Sequence, residues 1–194
     1  MDSYVNAAVE QFRRVLEQQI ARQRRMEAGS AAVDYTKKDK IVIGVIGGDG
    51  IGPILVEQAS RVLECLLADD LAAGKVELRP IEGLTIENRL ALGQAVPSDT
   101  LAAIKECDVL LKGPTTTPKG GTMESANVAL RRELDLYANV RPVSIPEKHI
   151  DWVFYRENTE GEYVLGSQGI EIPDTLAMDF KVTTDAGTRR IARA

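Results

Sequence analysis

The chain has 194 residues, enough for one or two domains, and its 44% hydrophobic and 27% charged content is ordinary for a soluble globular protein. A net charge of −5 excludes a general nucleic-acid binder, which needs a basic surface to neutralise phosphates, and no apolar run is long enough to span a bilayer. One histidine and two distant cysteines without a CxxC argue against a zinc site, and Cys65 and Cys107, both in apolar surroundings, are expected to be reduced core thiols.

The N-terminus carries Asp2, Glu10 and Glu17 with no apolar core, so it does not read as a secretory signal, and a cytoplasmic location without membrane attachment is expected. Residues 4–28 have helical spacing of Val5, Ala8, Phe12, Val15, Leu16 and Ile20. Arg22, Arg24 and Arg25 lie near the helix end, where they complement the dipole. This helix is either an appendage docked by one apolar stripe or a partner-binding helix. Gly29 to Lys40 reads as a linker. Ile41–Ile46 is an apolar run rich in β-branched residues, as expected of a strand buried on both faces. A glycine-rich turn, 47–53, leads into a helix over about 54–69 whose apolar face is Leu55, Ala59, Val62, Leu63 and Leu66. Val76–Pro80 is a short strand, and 86–96 contains a helix. Ser98–Glu106 forms another helix, capped by Ser98 or Asp99. Cys107–Lys112 is a second buried strand, and Leu134–Val140 and Trp152–Arg156 are further strands. His149, soon after Pro146, reads as a turn residue. Residues 161–182 read as an antiparallel or irregular arm. At 185–194 an amphipathic helix begins, capped by Asp185 or Thr188, and stops after two turns at most. The alternation predicts an α/β fold with a parallel sheet covered by helices. The expected organisation is an N-terminal helix and linker (1–40), part of a large α/β domain (41–137) and the start of a smaller one (138–194), with the pocket between them.

The glycine turn joins a buried strand to a helix, which invites a dinucleotide-binding reading. Its spacing fails the fingerprint, because the third glycine of either register falls on Pro53 or Leu55, and there is no phosphate-loop GK[ST]. More informative are residues 113–131. A loop with three threonines runs into a helix that opens with Ser125, Asn127 and Arg131; Arg141 and Arg156 follow. Small polar donors and spaced arginines suit a ligand with several carboxylates, since a guanidinium binds a carboxylate through two parallel charge-assisted hydrogen bonds.

Four motifs stand in order: Gly-Asp-Gly-Ile-Gly-Pro (48–53), Leu-Lys-Gly-Pro (111–114), Asn-Val-Ala-Leu-Arg-Arg-Glu-Leu-Asp-Leu-Tyr-Ala-Asn-Val-Arg-Pro (127–142) and Arg-Glu-Asn-Thr-Glu-Gly-Glu-Tyr (156–163). With these, the chain from about Lys40 to Ala194 resembles the β-decarboxylating dehydrogenases of 2-hydroxy acids, the isocitrate, isopropylmalate and homoisocitrate dehydrogenases. The N-terminal helix lies outside the resemblance. Isopropylmalate enzymes carry apolar residues where this chain has Ser125 and Asn127, and usually Arg-Glu-Leu where it has Arg156-Glu157-Asn158, so the chain resembles an isocitrate dehydrogenase most. The resemblance implies that Arg131, Arg141 and Arg156 clamp substrate carboxylates. Ser125 and Asn127 bind the carboxylate peculiar to isocitrate, Thr116 lies near the nicotinamide of NAD or NADP, and Tyr163 is the acid that protonates carbon after decarboxylation. It also implies Mg²⁺ or Mn²⁺, with the ligands and most of the adenine-nucleotide site outside these 194 residues; Glu157, Glu160, Asp174 and Asp185 are not expected to substitute. Family members are considerably longer. The chain therefore reads as the N-terminal half of the enzyme, inactive alone, in a homo-oligomer or joined to a complementary C-terminal half. The alternatives are a non-catalytic regulatory subunit binding citrate or isocitrate, and an isopropylmalate or homoisocitrate dehydrogenase.

Overall fold

The computed structural model of the protein describes residues 2–28, 33–119, 123–162, 165 and 168–194. The chain forms two compact units, one of residues 32–130 and the other of residues 1–31 with 131–194.

The first unit is built on three parallel strands: β1 (Ile41–Ile46), β2 (Val76–Pro80) and β3 (Val109–Lys112), in the order β2-β1-β3. Ile41 pairs with Val76 and Ile43 with Val109. Chain order therefore places β2 on one side of β1 and β3 on the other, which makes the β1/β3 junction a topological switch point. The sheet is less deeply covered than expected: in β1 only Gly44 and Ile46 are buried, and no residue of β3 is. Helix α2 (Gly52–Leu66) begins with Pro53 in its first turn, where the missing N–H has no helical partner to lose. It buries Gly52 and Val56, while Leu55, Val62 and Leu66 of the expected apolar face are exposed. A short α3 (Ala68–Ala72) completes the crossover.

Helix α4 (Ile86–Leu92) is capped by Thr85, whose hydroxyl accepts from Asn88 N–H, and closed by Gly93 in the left-handed conformation. Helix α5 (Ser98–Lys105) starts after Pro97 without a side-chain cap of its own. Ser98 N–H donates instead to the side chain of Gln94, so the expected cap by Ser98 or Asp99 does not form. The expected reduced core cysteines are both free thiols, but Cys65 is exposed and only Cys107 is half-buried, because residue 65 falls on the outer side of α2.

In the second unit, α1 (Asp2–Glu27) packs by Val15 against Leu165, flanked by Phe180 and Val182. Phe12 meets the Phe180 ring at 5.5 Å. Helix α6 (Ala126–Glu133) enters this unit at Arg131 and ends in a turn at Asp135, whose φ of 48° is left-handed. That turn delays the next strand: β4 runs Ala138–Ile145, not Leu134–Val140 as the sequence suggested. It pairs antiparallel with β5 (Ile150–Glu157), and His149 sits in the connecting turn with φ 52°. β6 (Ile170–Ile172) and β7 (Leu176–Met178) form a small antiparallel pair, and α7 (Asp185–Arg193) closes the chain. Its cap is Thr184, one residue before the expected Asp185, because the Thr184 hydroxyl accepts from Gly187 N–H.

Candidate functional site

At the switch point of the first unit, two loops leave the carboxyl ends of β1 and β3 and press together. A Cβ on Gly48 would strike Pro114 O, and Cβ atoms on Gly52 and Gly113 would each strike Gly47 O. Asp49 N–H donates to Pro114 O at 2.8 Å. Gly48 and Gly113 are thus used for loop-to-loop contact, with Gly48 also at φ 74°, whereas Gly50 has nothing within 4 Å.

The same contact fixes Thr116. Asp49 Oδ2 accepts from Thr116 N–H at 2.7 Å, and Oδ1 from Ile86 N–H at 2.7 Å. Arg89 Nη1 donates to Thr116 O at 2.9 Å, and Nε to Ala95 O at 2.9 Å. Arg89 is fully buried and stands 3.8 Å from the Asp49 carboxylate. The Thr116 peptide is therefore held on both sides by charged groups, while its side chain faces out. Beside it the Thr115 hydroxyl donates to Asn127 Oδ1 at 3.4 Å, and Lys112 Nζ donates to Gly113 O at 2.6 Å. Ser125 and Asn127 are half-buried, and Ser125 O accepts from Ala129 N–H at the start of α6. An open cavity of about 890 Å³ adjoins the ends of β1 and β2, walled by Gly48, Glu82, Thr85, Asn88 and Thr100 among others.

In the second unit the hairpin register matters. Asn139 stands opposite Arg156, and Arg141 opposite Phe154, so Arg141 and Arg156 share one face of the β4–β5 hairpin as diagonal neighbours. Arg141 Nε donates to Asn139 Oδ1 at 2.8 Å. Trp152 and Phe154 sit on that face too, in an edge contact at 6.0 Å. A second cavity, of about 420 Å³, is walled by Arg156, Glu162, Lys181, Thr183 and Thr188. Arg131 is half-buried on α6, and its carbonyl accepts from Leu136 N–H. Tyr163, the expected acid, lies outside the described residues.

The turn after β5 is tightly built. Glu157 caps it by accepting from Thr159 N–H and Oγ1, both at 2.8 Å. Glu160 is buried and accepts from Arg22 Nη1 at 3.1 Å, Thr184 N–H at 2.9 Å and Thr184 Oγ1 at 2.6 Å. Asn158 is buried and donates to Leu136 O at 3.2 Å, which gives it a role in holding the turn. Arg190 grips both oxygens of Asp135, at 2.6 and 2.9 Å, and stacks 4.5 Å above the Tyr137 ring. Among the described residues no group of His, Cys, Asp and Glu could hold a metal ion. Glu157 and Glu160 are already committed to the turn, and the described residues do not fit a divalent cation.

The sequence pointed to Thr116, Ser125 and Asn127, which the structure places in the first unit, and to Arg141 and Arg156, which it places on one hairpin face. It did not point to Asp49 or Arg89. Asp49 could be seen only as part of the glycine turn. Arg89 carried no signal, because the adjoining Leu90 looks the better core residue and is in fact 52% exposed.

The first unit thus presents paired loops at a switch point of its parallel sheet, and the second presents Arg141 and Arg156 on one hairpin face. The comparisons place the chain in a family. A family model described as isocitrate/isopropylmalate dehydrogenase matches residues 42–194, and the chain belongs to that family. It is 44% identical over 145 residues to an isocitrate dehydrogenase [NADP] of Caldococcus noboribetus, covering 70% of this chain and 32% of the relative. It is 34% identical over 184 residues to an isocitrate dehydrogenase [NADP] of Staphylococcus aureus, covering 79% of this chain and 43% of the relative. The crystal structure of isocitrate dehydrogenase from Methylococcus capsulatus is similar with a TM-score of 0.63 at 34% identity, over 79% of this chain and 45% of that one. The chain thus spans less than half the length of these relatives. Helix α1 precedes the matched region. No helix among the described residues is long and apolar enough to cross a membrane.

Proposed function

We propose that this chain supplies the N-terminal half of a decarboxylating isocitrate dehydrogenase, converting isocitrate to 2-oxoglutarate, with NADP as cofactor ahead of NAD. The observation that carries this is the family match over 42–194, with relatives that bear the name isocitrate dehydrogenase [NADP]. When bound, the nicotinamide supplies the hydride acceptor. The chain's own residues do the rest of the work assigned to it. Arg131, Arg141 and Arg156 bind the substrate carboxylates and orient the hydroxyl-bearing carbon. Ser125 and Asn127 donate to the third carboxylate, the group that separates isocitrate from isopropylmalate. Thr116 presents its side chain toward the nicotinamide. Tyr163 holds the proton that is delivered to carbon after CO₂ leaves. Ligands for Mg²⁺ or Mn²⁺ are assigned to protein outside residues 1–194. So is the partner surface that completes the site, in a complementary C-terminal half or a homo-oligomer. The proposed domains are 41–137 and 138–194 with 1–40 as an extension, which differs from the two compact units in the placing of residues 131–137 and of α1.

The test is substrate discrimination in the complete enzyme. Ser125→Ala and Asn127→Leu each remove a donor to one carboxylate. An unpaired buried polar group loses about 1–3 kcal/mol, or roughly 5- to 150-fold in kcat/KM for isocitrate. Isopropylmalate, which lacks that carboxylate, should change by less than about 3-fold. Equal losses on both substrates would refute the assignment.

A further inference from the structure

Within this reading, Thr116 works only if its side chain stands at a fixed height, and the structure shows what fixes it. A buried Asp49–Arg89 pair is a poor way merely to stabilise a fold, because apolar side chains of the same volume do as well or better. What the pair does instead is specific. Arg89 joins the carbonyls of Ala95 and Thr116, and Asp49 joins the amides of Ile86 and Thr116. Three separate stretches of chain meet on two charged groups, and Thr116 alone is bound through both its N–H and its C=O. Both groups are inside, whereas the Thr116 side chain is outside.

We propose that Asp49 and Arg89 are positioning residues, which grip the Thr116 peptide from both sides and so set where the Thr116 side chain meets the bound nicotinamide. Both side chains are buried. Their effect is transmitted through one peptide unit, and it is directed at the cofactor more than at the carboxylates of the substrate. This rests on the assignment of Thr116 to the nicotinamide.

The experiment has two arms. In the 194-residue chain, amide hydrogen exchange is followed by NMR for wild type, Asp49→Asn and Arg89→Lys. Thr116 N–H should exchange at least about 10-fold faster in Asp49→Asn, with the amides of β1 and β3 unchanged. A uniform acceleration, or no change at Thr116, overturns the grip. In the isocitrate-oxidising enzyme carrying the same variants, KM for NADP should rise at least about 10-fold while KM for isocitrate stays within about 2-fold. Arg89→Lys, which keeps the charge and one donor, should fall between wild type and Arg89→Met. A loss of active protein with both KM values unchanged would mean a purely structural pair, and a parallel rise in both KM values would contradict the cofactor-directed role. If Asp49→Asn fails to fold, Arg89→Lys decides both arms. An enzyme that ignores isocitrate but reduces NADP with another 2-hydroxy acid would refute the substrate assignment alone, because the same KM comparison then runs with that acid.

Discussion

Removing the Glu160 carboxylate should loosen the second unit, and the structure allows the amount to be worked out. The Glu160 side chain is 4% exposed and its partner Arg22 11% exposed. Its two oxygens accept three hydrogen bonds, one from the guanidinium and two from Thr184 at the start of α7. Glu160→Ala strands Arg22 and the Thr184 amide together, and breaking a buried ion pair from one side costs about 3–5 kcal/mol. Glu160→Gln keeps the shape and an acceptor. It exchanges a charge-assisted bond for a neutral one, a loss of about 1–2 kcal/mol. Urea unfolding followed by the fluorescence of Trp152, the single tryptophan, reads this unit directly, because Trp152 lies in β5 of the same unit. A double-mutant cycle of Glu160→Gln with Arg22→Ala should give a coupling energy of about 1–2 kcal/mol, since the two side chains are in contact. A coupling below about 0.5 kcal/mol would show that α1 does not dock through this pair.

Gly113→Ala should destabilise the first unit by at least about 1–3 kcal/mol in chemical denaturation, because the new methyl meets the Gly47 carbonyl and, at 3.1 Å, Val56. Gly50→Ala, with nothing within 4 Å, should cost only about 1–2 kcal/mol from its left-handed φ of 59°. A reversed order would contradict the loop-to-loop packing. Asp108 is held below the usual carboxylate range, first by Lys38 and then by the Val42 amide. Because its folded pKa is depressed, the stability it contributes is present above the unfolded value of about 4 and lost as pH falls through the folded one. Denaturation between about pH 5 and pH 2 should therefore show a shallower decline for Asp108→Asn than for wild type, and identical slopes would refute the pairing.

What the sequence made legible was local. Ile41–Ile46 and Val76–Pro80 were read with their observed boundaries, since a β-branched run bounded by turn residues needs no tertiary knowledge. The helix placed within 86–96 was also found, as α4 (Ile86–Leu92), although its closing residue Gly93 was not read from the sequence. Failures came where distant chain decided the outcome. Asp135 takes a left-handed φ and is clasped by Arg190, 55 residues away, so β4 starts at Ala138. The apolar face of α2 was placed by periodicity on Leu55, Ala59, Val62, Leu63 and Leu66; Ala59 and Leu63 are half-buried, but Leu55, Val62 and Leu66 are exposed and the buried residue is Val56. Of the candidate site, the order of Thr116, Ser125, Asn127 and the arginines could be read from motifs. The hairpin register that puts Arg141 beside Arg156, and the buried pair behind Thr116, depend on which strands and helices meet, and no spacing encodes that.

The central claim is that these 194 residues hold the substrate-binding half of an isocitrate dehydrogenase and not its whole chemistry. It is tested most directly by following absorbance at 340 nm with isocitrate, NADP and Mn²⁺. The assay compares the purified chain alone with the chain joined to a C-terminal portion that completes the length of its relatives. The account predicts no turnover by the chain alone and isocitrate-dependent NADPH formation by the completed protein, abolished by Arg141→Ala or Arg156→Ala. Turnover by the chain alone would contradict the assignment of the metal and cofactor ligands to protein outside residues 1–194, and a completed protein that binds isocitrate without reducing NADP would contradict the assignment of catalysis.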